Sequence, residues 1–301
     1  MPRVSVIIPN YNHENFLNQR IETVLSQTFQ DIEVIILDDC STDSSKQVIE
    51  SYSLDKRVSV VYNSFNSGSP FIQWARGITI AKGDYIWIAE SDDWSELDFL
   101  TEVIRYADLY PDASLIYTDS YIIKDSAAEL MGAKTDADFK FFEPKELIKQ
   151  HLLNGIDIYN GSAVVFKRQI AFNELEKLVE YKKHGDYFFW IILSKDYPSV
   201  FINKRLNYFR ILESSVTKLS NQTVETIDEY YKIFKVLVNI SLELKWKDRY
   251  IFYNCWALRF IKLYKEVTYK INIYDLLKKV FIASRYSPYF LNRMIYHFIM
   301  S

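Results

Sequence analysis

VSVIIPNYNHENFLNQRIETVLSQTFQDIEVIILDDCSTDSS, residues Val4 to Ser45, decides the reading of this chain. Val4-Ser5-Val6-Ile7-Ile8 is a short β-branched run of the kind that forms a buried strand. Phe16, Leu17, Ile21, Val24 and Leu25 then recur at helical spacing, and Glu33 to Leu37 returns to the strand pattern. Ser41, Thr42 and Asp43 signal the start of another helix.

The alternation continues outward. A third strand is expected at Val58 to Tyr62, a helix at Phe71 to Ala81, and a fourth strand at Tyr85 to Ala89. A helix at Leu97 to Leu109 and a strand at Ser114 to Tyr117 follow. Strands alternating strictly with helices predict an α/β, Rossmann-like fold, its mostly parallel sheet flanked by helices. Beyond Tyr121 the pattern loosens. Asp125 to Asp138 reads as a loop or irregular insertion, Ala163 to Phe166 as a strand, and Tyr187 to Leu193 as a helix start with Gly185 and Asp186 just ahead. Val200 to Ile202 and Tyr208 to Ile211 read as two further short strands. From about Thr223 the pattern is helical, with breaks near Lys245, Ile271 and Pro288. The expected organisation is a catalytic α/β domain over 1–220 and a basic, aromatic-rich helical appendage over 221–301.

With 301 residues, 49% hydrophobic, the chain can bury a substantial core. No run reaches the roughly 18 apolar residues of a membrane span, and Met1 leads straight into a strand-like run with no signal-peptide pattern. Cys40 and Cys255 have neither metal nor redox spacing, so a reduced, cytoplasmic protein is the expectation. Net charge is −3 but unevenly spread: from Lys245 to Ser301 there are eleven Lys/Arg against three Asp/Glu. An acidic body with a basic tail points the tail toward something anionic.

In open α/β sheets ligands bind beyond the carboxyl ends of the strands. Three acidic clusters are expected there: Asp38-Asp39, Glu90-Ser91-Asp92-Asp93, and Asp186 after Gly185. Crowded carboxylates repel unless a cation sits among them, and their hard oxygens suit Mg²⁺ or Mn²⁺ together with substrate phosphates. Asp, Ser and Thr also cap helices, so Asp39 or Asp43 could cap the helix after strand two, and Ser91 or Asp92 the helix near Leu97. Asp186 alone fits a cap or a solvated acid as well as a base.

In order and spacing the chain resembles the family 2 glycosyltransferases of the GT-A fold, from Val4 to about Thr217. The stretch quoted above carries the resemblance together with NSGSPFIQWARGITIAKGDYIWIAESDDW at Asn66 to Trp94 and GDYFFW at Gly185 to Trp190. The resemblance implies an inverting transfer of sugar from a nucleotide sugar, a UDP-sugar for preference, to a hydroxyl of a saccharide or lipid-linked acceptor in bacterial cell-surface polysaccharide synthesis. It implies that Pro9, Tyr11 and Glu14 line the nucleotide pocket and that Asp39 accepts the N3–H of uracil. Asp92 and Asp93 match the end of the acidic motif that contacts ribose and the Mn²⁺ or Mg²⁺ between the phosphates, and Asp186 matches the catalytic base. Arg76 would face the diphosphate or the base, or stand solvated at the surface, and Gln73-Trp74 resembles the QW signature of a subgroup.

The chain departs from the family pattern at Glu90, where many relatives have Asp, and at Gly185, where many have Glu. It departs again in NYFRILESSVTK, where Leu212 and Glu213 stand in place of a His and either Ser215 or a water could fill the gap. These departures leave a catalytically degenerate homologue, binding a nucleotide sugar or a partner protein, as the alternative. A nucleotidyltransferase would place a Gly- and Arg/Lys-rich phosphate loop after strand one, and PNYNHEN lacks it.

In the tail, Ile251, Leu258, Ile261 and Tyr264 could share one helix face, with Arg249, Arg259, Lys262 and Lys265 interspersed. Two readings follow: peripheral contact of 245–301 with an anionic membrane at the inner face of the cell membrane, or a helical cap whose aromatics form core. No nucleic-acid motif accompanies the charge, and nucleic acid is not expected as a partner.

Overall fold

The computed structural model describes residues 1–124, 127–130, 137–153, 158, 160–212 and 224–267. The chain divides into two compact units, Met1–Lys145 with Ile158–Leu212, and Glu146–Asp157 with Glu213–Ser301. The short stretch Glu146–Asp157, which the sequence places in the first region, clusters with the second unit.

The first unit begins with β1 (Val4–Asn10), α1 (Glu14–Leu25), β2 (Ile32–Asp38), α2 (Ser45–Glu50), β3 (Val58–Tyr62), α3 (Pro70–Ile80) and β4 (Tyr85–Ile88). It continues with β5 (Trp94–Ser95), α4 (Phe99–Leu109), β6 (Leu115–Lys124), β7 (Ala127–Leu130), β8 (Phe139–Phe142), β9 (Val164–Lys167), α5 (Arg168–Phe172), α6 (Leu175–Leu178), α7 (Gly185–Lys195) and β10 (Ser199–Arg210). Among the described residues one sheet runs in the order β3-β2-β1-β4-β9-β6-β10-β5, with β7 beside β6 and β8 beside β10. The β1–β2, β2–β3, β1–β4 and β6–β10 pairs are parallel, whereas β9 runs antiparallel between β4 and β6.

Both faces are covered, and the residue alternation of β1 shows how. Val4, Val6 and Ile8 join Leu17, Ile21 and Val24 of α1 and Phe99, Leu100 and Val103 of α4 in one cluster. On the other face Ile7 lies under α3, where Gly77 permits the approach: a Cβ there would stand 2.6 Å from Ile7 Cγ2. α3 is set by Ser69, whose hydroxyl accepts from the Phe71 N–H, and by Pro70 in its first turn.

The expected pairs of strand and helix are present as far as Tyr117, but three expectations are corrected. Val200–Ile202 and Tyr208–Ile211 are not two strands: β10 is continuous from Ser199 to Arg210, its register on β6 shifting between Ile202 and Arg205 and again before Asn207. The polar Asn203-Lys204-Arg205 that breaks the hydrophobic pattern sits in this irregular stretch, where alternation no longer holds. Within 125–138, Ala127–Leu130 forms an antiparallel strand on β6, while 125–126 and 131–136 lie outside the described residues. The helix near Tyr187 begins earlier, at Gly185, so Asp186 occupies its first turn.

The second unit contains α8 (Val224–Ser241) and α9 (Trp246–Val267). Phe234 stacks on Phe252 with centroids 5.6 Å apart and meets Tyr253, Trp256 and Phe260 edge-on or tilted. The indole N–H of Trp256 donates to the Leu153 carbonyl at 2.9 Å. The face expected from Ile251, Leu258 and Ile261 is split: Ile261 is buried, while Ile251 and Leu258 are exposed. The expected breaks near Ile271 and Pro288, and the side chain of Tyr264, lie outside the described residues.

Replacing Gly77 by Ala forces a methyl group into Ile7. Thermal unfolding should show Gly77→Ala destabilised by about 1–3 kcal/mol, the usual range for overpacking.

Candidate active site

The turns after β1 and β2 are built as a pair. Asn12 and Cys40 both have positive φ, 56° and 65°, and each turn supplies the other's hydrogen bonds. Asn10 Nδ2 donates to Asp38 Oδ1 at 2.9 Å and Ser41 Oγ at 3.1 Å. Asn12 N donates to Ser41 Oγ at 3.0 Å, and Thr42 N returns to Asn12 Oδ1 at 2.7 Å. Asp43 accepts from Glu14 N and Ser45 N, both at 3.0 Å, while Glu14 Oε2 accepts from Ser44 N. Burial works against the Asp43 charge, yet the Ser45 and Glu14 donors hold its pKa below the ordinary carboxylate value. Thus Asp43 is bound at the start of α2, and the Glu14 carboxylate, expected in the nucleotide pocket, is engaged there too. Pro9 is buried in β1, and Tyr11 at the strand's end is 44% exposed.

Asp39 is no helix cap. Its Oδ1 accepts from Asn63 Nδ2 at 2.6 Å, Gln73 Nε2 at 2.8 Å and Ser67 N at 2.9 Å, and its Oδ2 accepts from Ser67 Oγ at 2.7 Å. Arg76 is exposed and donates to Asn63 Oδ1, so it reaches Asp39 only through that amide.

Neither Ser91 nor Asp92 caps the next helix, whose N-cap is Asp98. Asp92 and Asp93 differ sharply despite adjacency. Asp93 is buried and accepts from Ser162 Oγ at 2.7 Å, from Asn160 Nδ2, and from the Arg210 backbone N–H at 2.9 Å. Arg20 Nη2 lies 4.0 Å away. The Asp92 backbone carbonyl accepts from Arg210 Nη1, whereas among the described residues its carboxylate is hydrogen-bonded only by its own backbone N–H, with the charges of Arg20 and Arg210 near it. Burial raises the pKa of all three acids: Glu90 to about 8, with Asp92 and Asp93 adding to the effect, Asp93 to about 7, and Asp92 in the same direction. Glu90 Oε1 accepts from the Trp74 indole N–H at 2.9 Å.

Asp186 stands in the first turn of α7, its Oδ1 accepting from Tyr187 N at 2.7 Å. The preceding Gly185 lets the helix start lie against α3, since a Cβ there would be 2.7 Å from the Phe71 ring. Trp74 is buried and touches Gly161, Phe189 and Trp190. One turn of α3 therefore joins the three clusters: Phe71 meets the start of α7, Gln73 binds Asp39, and Trp74 binds Glu90.

Residues 5–173 match the model of Glycosyl transferase family 2. The chain belongs to that family. Glycosyltransferase GlyG of Streptococcus pneumoniae serotype 4 is 30% identical over 228 residues, which cover 71% of this chain and 73% of GlyG. TuaG of Bacillus subtilis, described as a putative teichuronic acid biosynthesis glycosyltransferase, is 35% identical over 106 residues, 35% of this chain and 42% of TuaG. Among solved structures, S. aureus TarS 1-349 in complex with UDP-GlcNAc superposes with a TM-score of 0.66 at 15% identity, over 98% of this chain and 89% of that 1-349 chain. The GT-A fold expected from the sequence is the one observed.

Family 2 glycosyltransferases often use a divalent cation, and a fold neighbour, mannosyltransferase PcManGT from Pyrobaculum calidifontis, is solved in complex with GDP-Man and Mn²⁺. Among the described residues no three His, Cys, Asp or Glu side chains gather as a metal cage. A Mg²⁺ or Mn²⁺ shared with substrate phosphates needs only one or two carboxylates, and Asp92 supplies one without losing a bond to a neighbouring residue. Asp93 does not fit equally well, because both its oxygens already hold protein donors. The acids fit a cation completed by a diphosphate.

Four residues of this family member that bear on the acids went unread in the sequence: Arg20, Asn160, Ser162 and Arg210. Arg20 is fully buried, donates from Nε to the Glu90 carbonyl at 2.8 Å, and lies over the Trp87 ring at 5.6 Å. Burial lowers its pKa to about 10, although Asp93, Asp92 and Glu90 oppose the shift. It follows Leu17 and precedes Ile21 and Val24 on the apolar face of α1, so a charge in that phase was the available signal. Arg210 ends β10, and its guanidinium lies between the rings of Phe16 and Trp94, 4.4 and 4.6 Å from their centroids. Asn160 and Ser162 flank Gly161 with no motif of their own.

The asymmetry between the paired acids predicts a separation of stability. Asp93→Ala strands three donors in a buried place and should lose on the order of 3 kcal/mol, whereas Asp92→Ala should change stability by less than about 1 kcal/mol. Urea unfolding of both variants measures the difference.

Proposed function

We propose that the chain is a metal-dependent, inverting glycosyltransferase that moves a sugar from a UDP-sugar to a hydroxyl of a saccharide or lipid-linked acceptor in cell-surface polysaccharide synthesis. One observation carries this reading: Asp39, the Glu90–Asp93 run and the start of α7 all converge on a single turn of α3. Family membership and the likeness to TuaG and TarS support the reaction class and the donor.

Asp39 and Tyr11 serve the nucleotide, Pro9 shapes the strand end beneath it, and Arg76 holds Asn63 beside Asp39. Glu14 acts indirectly, by fastening α2. Asp92 is the proposed cation ligand and ribose contact, with Asp93 holding it in place. When bound, a divalent cation offsets the charge that develops on the departing diphosphate. Asp186 takes the proton of the acceptor hydroxyl, whose pKa lies far above neutrality, as that oxygen attacks the anomeric carbon. A single displacement inverts that centre.

Asp186→Asn keeps the shape and removes the base. Turnover should fall by about 10²–10⁴-fold while UDP affinity stays close to wild type. Chelation with EDTA should abolish transfer and Mn²⁺ or Mg²⁺ restore it. Donor hydrolysis gives the readout without a known acceptor; unchanged turnover in Asp186→Asn removes that residue from the mechanism. A protein that binds UDP-sugar with Mn²⁺ and never cleaves it is the degenerate homologue.

A peripheral membrane role for 245–301 is part of the same proposal. Among the described residues no helix is long and apolar enough to cross a membrane. In α9, Trp246, Tyr250, Ile251 and Leu258 are exposed beside the exposed Lys247 and Lys262. Aromatic and basic side chains together suit an anionic interface. Flotation should carry the protein up with anionic liposomes at low salt and leave it in the heavy fraction with neutral ones. Sedimentation with both kinds rejects the contact.

A further inference from the structure

Resting on the transferase reading, we propose that His13 is a positioning residue that holds the acidic turn Glu90–Asp93 against the paired turns after β1 and β2, so that divalent cation and nucleoside diphosphate bind as a pair. His13 Nδ1 and Ser91 Oγ stand 2.8 Å apart. Among the described residues no other hydrogen bond joins 10–14 or 38–45 directly to 90–93.

The residue type at position 13 is the first sign. His13 is the N-cap of α1, with φ −117° and ψ 36°, and its side chain makes no capping hydrogen bond. Ser, Thr, Asp and Asn serve that position best, so a histidine there forgoes a cap. Its backbone carbonyl still starts the helix, accepting from Phe16 N at 2.9 Å and Leu17 N at 3.0 Å. The ring turns instead to Ser91, 78 positions along the chain. Burial lowers the His13 pKa against the pull of Asp43 and Asp93. Near neutrality the ring is therefore uncharged, and it acts through its hydrogen bond rather than as a counter-ion.

What the bond steadies is the turn that carries Asp92. Asp93 N donates to the Glu90 carbonyl at 3.2 Å, which puts Ser91 and Asp92 at the corner. The ends of the turn are fixed elsewhere, Glu90 by Trp74 and Asp93 by Ser162 and Asn160. At the corner, Arg210 Nη1 holds the Asp92 carbonyl from one side, and His13 holds the side chain of Ser91, itself 2% exposed, from the other. The neighbours of His13 are bonded in turn to the β2 side: Asn12 to Ser41 and Thr42, Glu14 to Asp43 and Ser44. One ring thus links the turns proposed to receive the nucleotide to the turn proposed to receive the cation. A cation shared by Asp92 and a diphosphate needs both at matched distances, and a misplacement of about 1 Å is enough to weaken it.

Calorimetric titration of the full chain with UDP, once in EDTA and once with Mg²⁺, tests the proposal. Wild type should bind UDP more tightly with Mg²⁺. His13→Ser supplies a cap but cannot reach Ser91, so its thermal midpoint should equal or exceed that of wild type. Its affinity for UDP in EDTA should match wild type, while the Mg²⁺ enhancement falls by about fivefold or more, the scale of a modest coupling between sites. His13→Asn also caps and places an amide nitrogen where Nδ1 stands, so most of the enhancement should return. Ser91→Ala should lose as much as His13→Ser, and the double variant no more than either. Should His13→Ser fail to fold, Ser91→Ala decides with the same two titrations. Unchanged enhancement in both single variants overturns the proposal, as do losses that add in the double variant or affinity that falls equally with and without Mg²⁺. Those results leave UDP binding by wild type, and with it the transferase reading, intact; wild type that binds UDP in neither condition removes both.

Discussion

Three acidic clusters separated by up to about 150 positions depend on one helical turn. Phe71, Gln73 and Trp74 lie on the buried side of α3, and each engages a different cluster. Phe71 packs on Gly185, Gln73 donates to Asp39, and Trp74 donates to Glu90. α3 itself is pressed onto β1 at Gly77, so the position of this turn is set by the core. A substrate spanning base, diphosphate and acceptor needs fixed distances between distant chain segments, and a packed helix fixes them better than a loop.

The second constraint is the buried charge of Asp93. A carboxylate taken out of water is costly unless donors and cations surround it. Here Ser162, Asn160 and the Arg210 N–H supply donors from two other segments, and Arg20 supplies charge from beneath. The same bonds close the end of β10 onto the end of the β4 loop, and the irregular register of β10 lets its last residue arrive there. Asn207 extends the connection by donating to Ser120 at 3.1 Å and Asn160 at 3.2 Å. Strand order alone would leave these groups near one another; the buried acid pulls them into contact.

Much of this was legible in the chain. β1, β2 and β4 are buried strands with only Glu33 part-exposed, so apolar runs announce them, and acids follow β2 and β4 at one edge of the sheet. β10 was misread because its bulged middle is polar, and β7 because a four-residue strand at the end of β6 carries little pattern. The roles of the acids were legible only as a set. Glu14, Asp38, Asp43 and Asp93 look in sequence like Asp39, Asp92 and Asp186, and beside local donors such as Ser41 N and Ser45 N they hold partners 28 to 117 residues away. Arg20 was hidden for a related reason: a basic residue on an apolar helix face signals burial, but its partner cannot be named before the fold is known.

Counting acceptors separates these acids better than proximity does. A carboxylate whose oxygens all hold buried protein donors contributes to the framework, because releasing them leaves each donor unpaired. By that measure Asp93 and Asp43 belong to the framework, whereas among the described residues the Asp92 carboxylate is hydrogen-bonded by no neighbouring residue. Asp39 is the instructive case, since it is as fully satisfied as Asp93 yet stands where a ligand is expected. The difference lies in who satisfies it. The partners of Asp93 come from the sheet, the segment beside it and the end of β10, whereas half of the donors to Asp39 come from one serine in an exposed loop. Donors carried by a short exposed loop hold an acid less firmly than donors fixed in a sheet, because such loops open at lower free energy.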